Sequence, residues 1–356
     1  MILIMLSRDP EVLRPGSEAH QRMEAYRRLA AKFYVLVFDP RRGKFTAVRD
    51  LYASACEAIM REQSSGDKIL ITAQDPFEVG FVGALLKRKF KCALELQVHT
   101  DLLSPYFRGE SLKNKIRLLI AQRILPKADC VRTVSERIKK SLLLWIPALD
   151  PRRVRVQAIF VDTSRFGHKE VTFRSGPFIF LAVSRLSQEK NIMLLLRAFR
   201  EVVRSEKNVH LVIVGDGPER KNLERVARTM VIQNAVEFVG WQREDLVDYY
   251  ATAECYVLTS NYEGYARSVV EAMAASLPVI MTDVGIAGEL VKDNINGLIV
   301  PVGDVDTLVL CMLWVMRDES VRTTLSQNAR ATASQLIQKE AYLKAMQEAW
   351  ESCCRI

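Results

Sequence analysis

Two carboxylates, Glu263 and Glu271, stand with seven residues between them in the stretch NYEGYARSVVEAMAA, residues 261–275. An apolar run, 255–259, leads into it, and a helical pattern leaves it, with Val269, Val270, Ala272, Met273 and Ala274 gathered behind Glu271. That spacing predicts Glu263 in a strand-to-helix loop and Glu271 about two turns into the helix. Gly264 lets the backbone come close to a ligand, and the open N–H groups of a helix start favour an anion. A site of that form suits a sugar attached to a diphosphate. The same two carboxylates would also fit the acid and base of a hydrolase, or acidic residues at a solvated helix start. Arg185 and Lys190 follow a second apolar run, 178–183, and project from its carboxyl end. A guanidinium and an ammonium fixed there can carry the charge of a departing diphosphate without a metal. The plain alternative is a surface ion pair with Glu189. A third apolar run closes in Gln97-Val98-His99-Thr100-Asp101, which puts His99 at a strand end.

Strand ends gather in a parallel α/β sheet, and the pattern supplies two of them. Apolar runs near 2–6, 33–38, 68–72, 93–98, 130–134 and 154–156 alternate with helical stretches, one of them expected over 51–61. Residues 163–176 break this rhythm, which restarts at 178–183, 209–214, 236–239, 255–259, 278–282 and 298–300, with a short helical turn expected around Leu290. Continuous apolar strands separated by helices imply parallel sheets covered on both faces, with ligands beyond the carboxyl ends of the strands. The expected architecture is two Rossmann-like domains with parallel sheets facing a cleft. Residues 1–165 form the first and 176–337 the second, with 166–175 as linker and a helix over about 338–356 placed to pack back on the first.

The chain has 356 residues, 49% hydrophobic and 26% charged, which is a globular balance and excludes a disordered or bilayer-spanning class. The apolar opening, residues 1–6, is too short for a signal peptide or a membrane span, so the expected location is the cytoplasm. Seven scattered cysteines read as reduced buried thiols, and four distant histidines give no metal spacing, so no metal is expected. The net charge of +9 is uneven: residues 1–168 hold 30 Lys/Arg against 18 Asp/Glu, a balance of +12, and the remainder is at −3. Basic amphipathic stretches, Lys87-Arg88-Lys89-Phe90-Lys91 and residues 113–127 with Ile116, Leu119, Ile120 and Ile124 on one side, suit an anionic membrane. For either stretch alone a solvated helix face is the simpler reading. Nucleic acid is not expected, because aromatic residues do not interleave with the charges.

Four blocks in order, VSRLSQEKN from Val183, VGDGP from Val214, the stretch from Glu263 to Glu271, and Glu289-Leu290-Val291 through Asn296-Gly297-Leu298, resemble the nucleotide-sugar domain of retaining GT-B glycosyltransferases of family 4 (glycosyl transferases group 1). The resemblance spans about 180 residues of the back half, with fainter echoes in front. It implies a hexosyltransferase that takes a nucleotide-diphosphate sugar as donor, needs no cofactor, retains anomeric configuration and uses a glycan or lipid-linked acceptor. Peripheral contact with the inner face of a membrane would give access to such an acceptor.

By resemblance Arg185 and Lys190 stabilise the leaving diphosphate, Glu263 touches the donor sugar, and Glu271 takes the ribose. The backbone of Gly264, Tyr265, Ala266 and Arg267 would cradle the distal phosphate and sugar. Gly215 lies near the nucleotide, and the backbone around Val239 meets the base. Trp241 beyond it suits the core at least as well as stacking. His99 is the acceptor-side histidine near the donor sugar, and Asp101 orients the acceptor, while Ser135 is sufficiently explained as a helix cap. Three departures stand out. The first turn has only Gly16 where a Gly-Gly pair is usual, Ile159-Phe160 precede Val161-Asp162 where Asn-Gly is frequent, and Ala266 with Arg267 replace a small residue, often Gly, and its neighbour. Arg267 would select an acidic donor or point to solvent, and solvent is the expectation. Two other readings remain: an epimerase or phosphorylase on the same architecture, or a non-catalytic subunit that binds nucleotide sugar.

Overall fold

The computed structural model describes residues 1–166, 176–242 and 245–355. Two compact units make up the chain: unit 1 is Met1–Ala158 with Ile337–Ile356, and unit 2 is Ile159–Leu336. The division falls before Ile159, earlier than the expected 165. The expected linker, 166–175, lies outside the described residues beyond Phe166.

Unit 1 alternates β1 (Ile2–Ser7), α1 (Glu18–Arg27), β2 (Lys32–Val37), α2 (Lys44–Glu62), β3 (Ile69–Ala73), α3 (Glu78–Phe90) and β4 (Ala93–Val98). It continues with α4 (Pro105–Glu110), α5 (Leu112–Ile124), β5 (Cys130–Thr133), α6 (Glu136–Trp145) and β6 (Val154–Val156). The strands form one six-stranded sheet in the order β2-β1-β3-β4-β5-β6, parallel throughout. Every residue of β1 is buried, as helices on both faces require. Helix α2 starts at Lys44 rather than near Leu51, because its first turns bury little beyond Ala47 and leave Phe45 outside, which hides the period. The short α4 was not visible in the sequence either; it opens on Pro105, whose fixed φ suits a first helical position.

One face of this sheet is polar and buried. Thr72 on β3 is in register with Glu95 on β4, Gln97 with Arg132 on β5, and Arg132 with Arg155 on β6. Fully buried Glu95 accepts from Thr72 Oγ1 at 2.7 Å and from Trp350 Nε1 at 3.0 Å, and it is ion-paired with Arg155. Burial opposes its charge, yet Arg155, the Thr72 hydroxyl, Arg132 and the Trp350 indole together hold it below the usual carboxylate range.

Unit 2 runs β7 (Phe178–Val183), α7 (Ile192–Ser205), β8 (Val209–Val214), α8 (Arg220–Thr229), β9 (Val236–Gly240), α9 (Leu246–Thr252) and β10 (Cys255–Leu258). After these come α10 (Arg267–Ala274), β11 (Val279–Thr282), β12 (Leu298–Val300), α11 (Val305–Arg317) and α12 (Glu319–Ser334). Its sheet has the order β12-β11-β10-β7-β8-β9, again parallel. Leu195, Leu196, Phe199 and Val202 of α7 pack on Phe180 and Ile213, with Met312 and Val315 of α11 in the same core. Around Leu290 there is a hydrogen-bonded turn on the Ile286 carbonyl instead of the expected helical turn.

The chain then returns to unit 1 as α13 (Lys339–Cys353). Besides Trp350 on Glu95, Arg132 Nη2 donates to Tyr342 Oη at 3.0 Å and Arg155 Nη1 to the Ala349 carbonyl at 2.5 Å. Tyr26 from α1 meets the Tyr342 hydroxyl at 3.2 Å and the Trp350 ring edge-on at 5.2 Å. These contacts give α13 its place. Among the described residues no helix is long and apolar enough to cross a membrane.

Candidate functional site

Neighbouring strands β7 and β10 deliver Arg185, Lys190 and Glu263 to one end of the unit 2 sheet. Lys190 Nζ donates to Glu263 Oε1 at 2.5 Å, and Ser260 Oγ donates to the same oxygen at 2.7 Å. The two loops are stitched elsewhere too: Asn261 N to Glu189 O at 2.7 Å, and Asn191 Nδ2 to Asn261 Oδ1 at 2.9 Å. Lys190 and Glu263 are 21% and 11% exposed, so the pair reaches solvent without lying free in it. The ion pair with Glu189, the plain alternative for this loop, forms at Arg185: its Nη2 is 3.1 Å from Glu189 Oε1, with Ser187 Oγ 2.6 Å from that oxygen. Arg185 keeps most of its surface, so the pair holds the guanidinium in place and leaves its remaining donors open.

Gly215 and Gly217 have a reason the sequence did not disclose. A Cβ on Gly215 would stand 1.9 Å from the Ser184 carbonyl oxygen, and one on Gly217 2.3 Å from that of Leu186. The loop after β8 lies directly on the loop that carries Arg185, tied by Leu186 N to Asp216 O at 2.8 Å. Gly215→Ala is expected to lower unfolding free energy by about 3 kcal/mol or more, since φ is +135° and the clash is with backbone. Urea unfolding of the variant measures this, and an unchanged midpoint contradicts the packing argument.

Helix α10 begins at Arg267, so Glu271 lies just over one turn in, nearer the helix start than expected. Ala266 before it adopts φ +66°, ψ +64°, the left-handed region where glycine is at ease. This explains why a glycine suits that position; the alanine methyl is buried, which offsets part of the strain. No side chain caps this helix start. Tyr265 is buried beside it, and Gly285, at φ +55°, makes room for Glu263 and Tyr265. Glu271 is engaged: Tyr250 Oη donates to its Oε2 at 2.9 Å, and Arg267 Nη2 lies 3.9 Å from Oε1. Arg267 leans along its own helix toward Glu271 while 39% of its side chain stays exposed, so the expected solvent contact is kept in part.

A register shift between Ile213 and Val214 pairs Ile213 with Phe238 and Val214 with Gly240, which sets Val239 between them without a ladder partner. On either side of it the Phe238 carbonyl accepts from Arg220 Nη2 at 2.9 Å and the Gly240 carbonyl from Gly215 N at 2.8 Å. Trp241 is 72% exposed and has no place in the core, against the core-packing expectation. The fourth block is a packing loop: buried Asn296 accepts from Lys292 N and donates to Leu290 O and Thr332 Oγ1.

In unit 1, Gly16 sits at φ +79° in a turn closed by Ser17 N on Arg14 O at 3.1 Å, with open space where a Cβ would be. Its backbone, rather than crowding, asks for glycine. Asp101 Oδ1 accepts from Leu103 N at 3.1 Å and Ser141 Oγ at 3.2 Å, a local staple. Ser135 caps α6 through Ile138 N. His99 Nε2 is 2.9 Å from Gln97 Oε1. Burial, then the Arg132 and Arg22 guanidiniums, push its pKa down to about 3, so the ring is neutral at pH 7. Asp75, just past β3, is driven the other way, to about 6, by burial. A cavity of about 590 Å³ opens nearby between Leu13, Leu36, Phe38 and Leu51, with Arg8 and Asp39 on its wall.

Sequence reasoning missed Ser260, Tyr250, Gly285, Gln97 and this cavity. Only Gln97 carried a signal, as one of the polar residues alternating along an otherwise apolar strand.

Residues 164–332, nearly all of unit 2, match the family described as "Glycosyl transferases group 1". The match covers a little under half of the chain. Among curated relatives, the lipopolysaccharide core biosynthesis glycosyltransferase LpsE of Rhizobium meliloti is 27% identical over 197 residues, which are 54% of this chain and 56% of the relative. The alpha-monoglucosyldiacylglycerol synthase of Streptococcus pneumoniae is 25% identical over 244 residues, 64% of this chain and 55% of the relative. The chain thus spans little more than half the length of these relatives. Among solved structures, Anabaena HepE in complex with UDP and glucose matches 99% of this chain and 100% of its own, with TM-score 0.77 and 21% identity. The fold of the whole chain is therefore GT-B, and its unit 2 is similar to group 1 glycosyl transferases.

Proposed function

We propose that this group 1 chain transfers a hexose from a nucleoside diphosphate to a hydroxyl of a glycan or lipid-linked acceptor, with retention. The observation that carries the reading is the Lys190–Glu263 pair, held at 2.5 Å beside Arg185 where β7 and β10 end. It sets a cation for a diphosphate and a carboxylate for sugar hydroxyls side by side. The α10 start, uncapped by any side chain, adds backbone N–H groups for the same anion. HepE, the similar structure, was solved with UDP and glucose, which supports a uridine diphosphate sugar as donor.

In this mechanism the C–O bond between sugar and diphosphate breaks, and its electron pair stays on the phosphate oxygen. Arg185 and Lys190 stabilise that charge, so no metal is needed. The acceptor hydroxyl attacks from the face the diphosphate is leaving, and its proton passes to the departing phosphate oxygen. Glu263 holds the sugar, Glu271 the ribose, and the backbone from Gly264 to Arg267 the distal phosphate. Gly215 and Val239 line the nucleotide side, while unit 1 takes the acceptor through His99 and Asp101, with Gly16 in its first turn.

The lipid-linked alternative gains from α5. Leu112, Ile116 and Leu119 are 74%, 53% and 53% exposed beside Lys113, Lys115 and Arg123, while Ile124 is buried, so the outward stripe differs from the one expected. An apolar stripe with a cationic rim suits an anionic bilayer, in keeping with a diacylglycerol-modifying relative. Flotation should recover the chain with anionic vesicles and not with neutral ones.

A panel of nucleotide sugars tests the main reading. The true donor at 100 times its dissociation constant should stabilise the fold by about 2.7 kcal/mol and yield an acceptor-linked product of the donor's anomeric configuration. Donor isomerised without acceptor would make it an epimerase. Binding without hydrolysis or transfer would make it a non-catalytic subunit.

A further inference from the structure

Glu95, Gln97 and His99 alternate along β4 and just past it, so all three face the polar side of the unit 1 sheet. Gln97 Nε2 lies 2.8 Å from Thr72 Oγ1 and 3.4 Å from Glu95 Oε2. The buried carboxylate can only accept, and Thr72 already gives it its proton. Turning the Gln97 amide over would set its carbonyl oxygen against a carboxylate and a hydroxyl lone pair, in a buried site of low dielectric. The amide nitrogen therefore faces Thr72 and Glu95, and Oε1 faces His99.

That orientation decides the imidazole. Gln97 Oε1 has only lone pairs, and its partner 2.9 Å away is His99 Nε2, which must carry the proton. A neutral ring has one N–H, so Nδ1 keeps its lone pair. Among the described residues Nδ1 has no hydrogen-bond partner.

We propose that Glu95, acting through Thr72 and Gln97, fixes His99 as the Nε2–H tautomer, so that unit 1 offers a lone pair to a substrate hydroxyl. The substrate contact rests on the transferase reading; the tautomer stands without it. Thr72, Gln97 and Glu95 are positioning residues, and their effect on specificity runs through one nitrogen.

The full chain, with heavy-nitrogen label in its imidazoles, is read by two-bond proton–nitrogen correlation at neutral pH. His99→Asn identifies the His99 signals among the four histidines. The expected spectrum has a protonated Nε2 and an unprotonated Nδ1, and the reverse pattern overturns the proposal. In Gln97→Leu the second tautomer should appear, with turnover reduced about tenfold and donor KM held. A pure Nε2–H tautomer in that variant overturns the relay. Should Gln97→Leu fail to fold, Thr72→Val releases the same amide and asks the same question. A tautomer shift in a chain that transfers no sugar to any acceptor would keep the relay and remove the transferase reading.

Discussion

Lys190→Ala is expected to lower turnover by about a hundred- to a thousand-fold, the usual loss when one donor to a developing negative charge is removed. The ammonium has three protons, and holding Glu263 at 2.5 Å occupies one, which leaves two for phosphate oxygens. Folding should suffer less. Glu263 retains Ser260, and the pair is partly open to water, so about 1–2 kcal/mol is the expected loss of stability. Steady-state transfer and urea unfolding of the same preparation separate the two effects. Lys190→Met, which keeps the apolar stem, should behave like the alanine variant in turnover. Transfer at the parental rate in either would remove Lys190 from the mechanism.

Glu95→Gln should lower stability by about 3 kcal/mol. The variant keeps the shape but leaves the Arg155 guanidinium without its counter-charge, and a neutral amide gives Trp350 Nε1 and Thr72 Oγ1 weaker acceptors. Arg155 is partly exposed, so water relieves some of the cost, which keeps the figure at the low end for a buried pair. Hydrogen exchange read by peptide should speed up in β3, β4 and α13 and stay unchanged in unit 2. Replacing Glu95 by Leu and Arg155 by Met together should cost less than Glu95→Gln alone, because no charge is then stranded. Equal exchange in wild type and Glu95→Gln would show that the ladder contributes nothing.

Apolar runs bounded by turns made both parallel sheets legible, down to the ends of β4, β7 and β8. Helix α2 was not, since its early turns show solvent residues such as Phe45 and almost no period. The candidate site was legible where the residue type is the chemistry: a cation after β7, carboxylates after β10. It was opaque where the reason lies across the fold. Gly215 reads as a turn residue until the Ser184 carbonyl is seen against it. Tyr250 carries no signal until its hydroxyl is found on Glu271. Arg267, expected in solvent, stays partly exposed and also leans toward a carboxylate four residues on, a pairing that only the side-chain geometry of α10 makes visible.

The return of α13 to unit 1 also sets an order of events during synthesis. Every element of unit 2, from β7 to α12, is made before Trp350 exists, so unit 2 can close its core while the chain is still growing. Unit 1 cannot. Its strands are made first, yet Glu95, Arg132 and Arg155 wait beside one another, two cations and a carboxylate without their α13 partners, until Tyr342 and Trp350 arrive. The half that is written first is the half that is finished last, and that interval is when chaperones would find the most to hold.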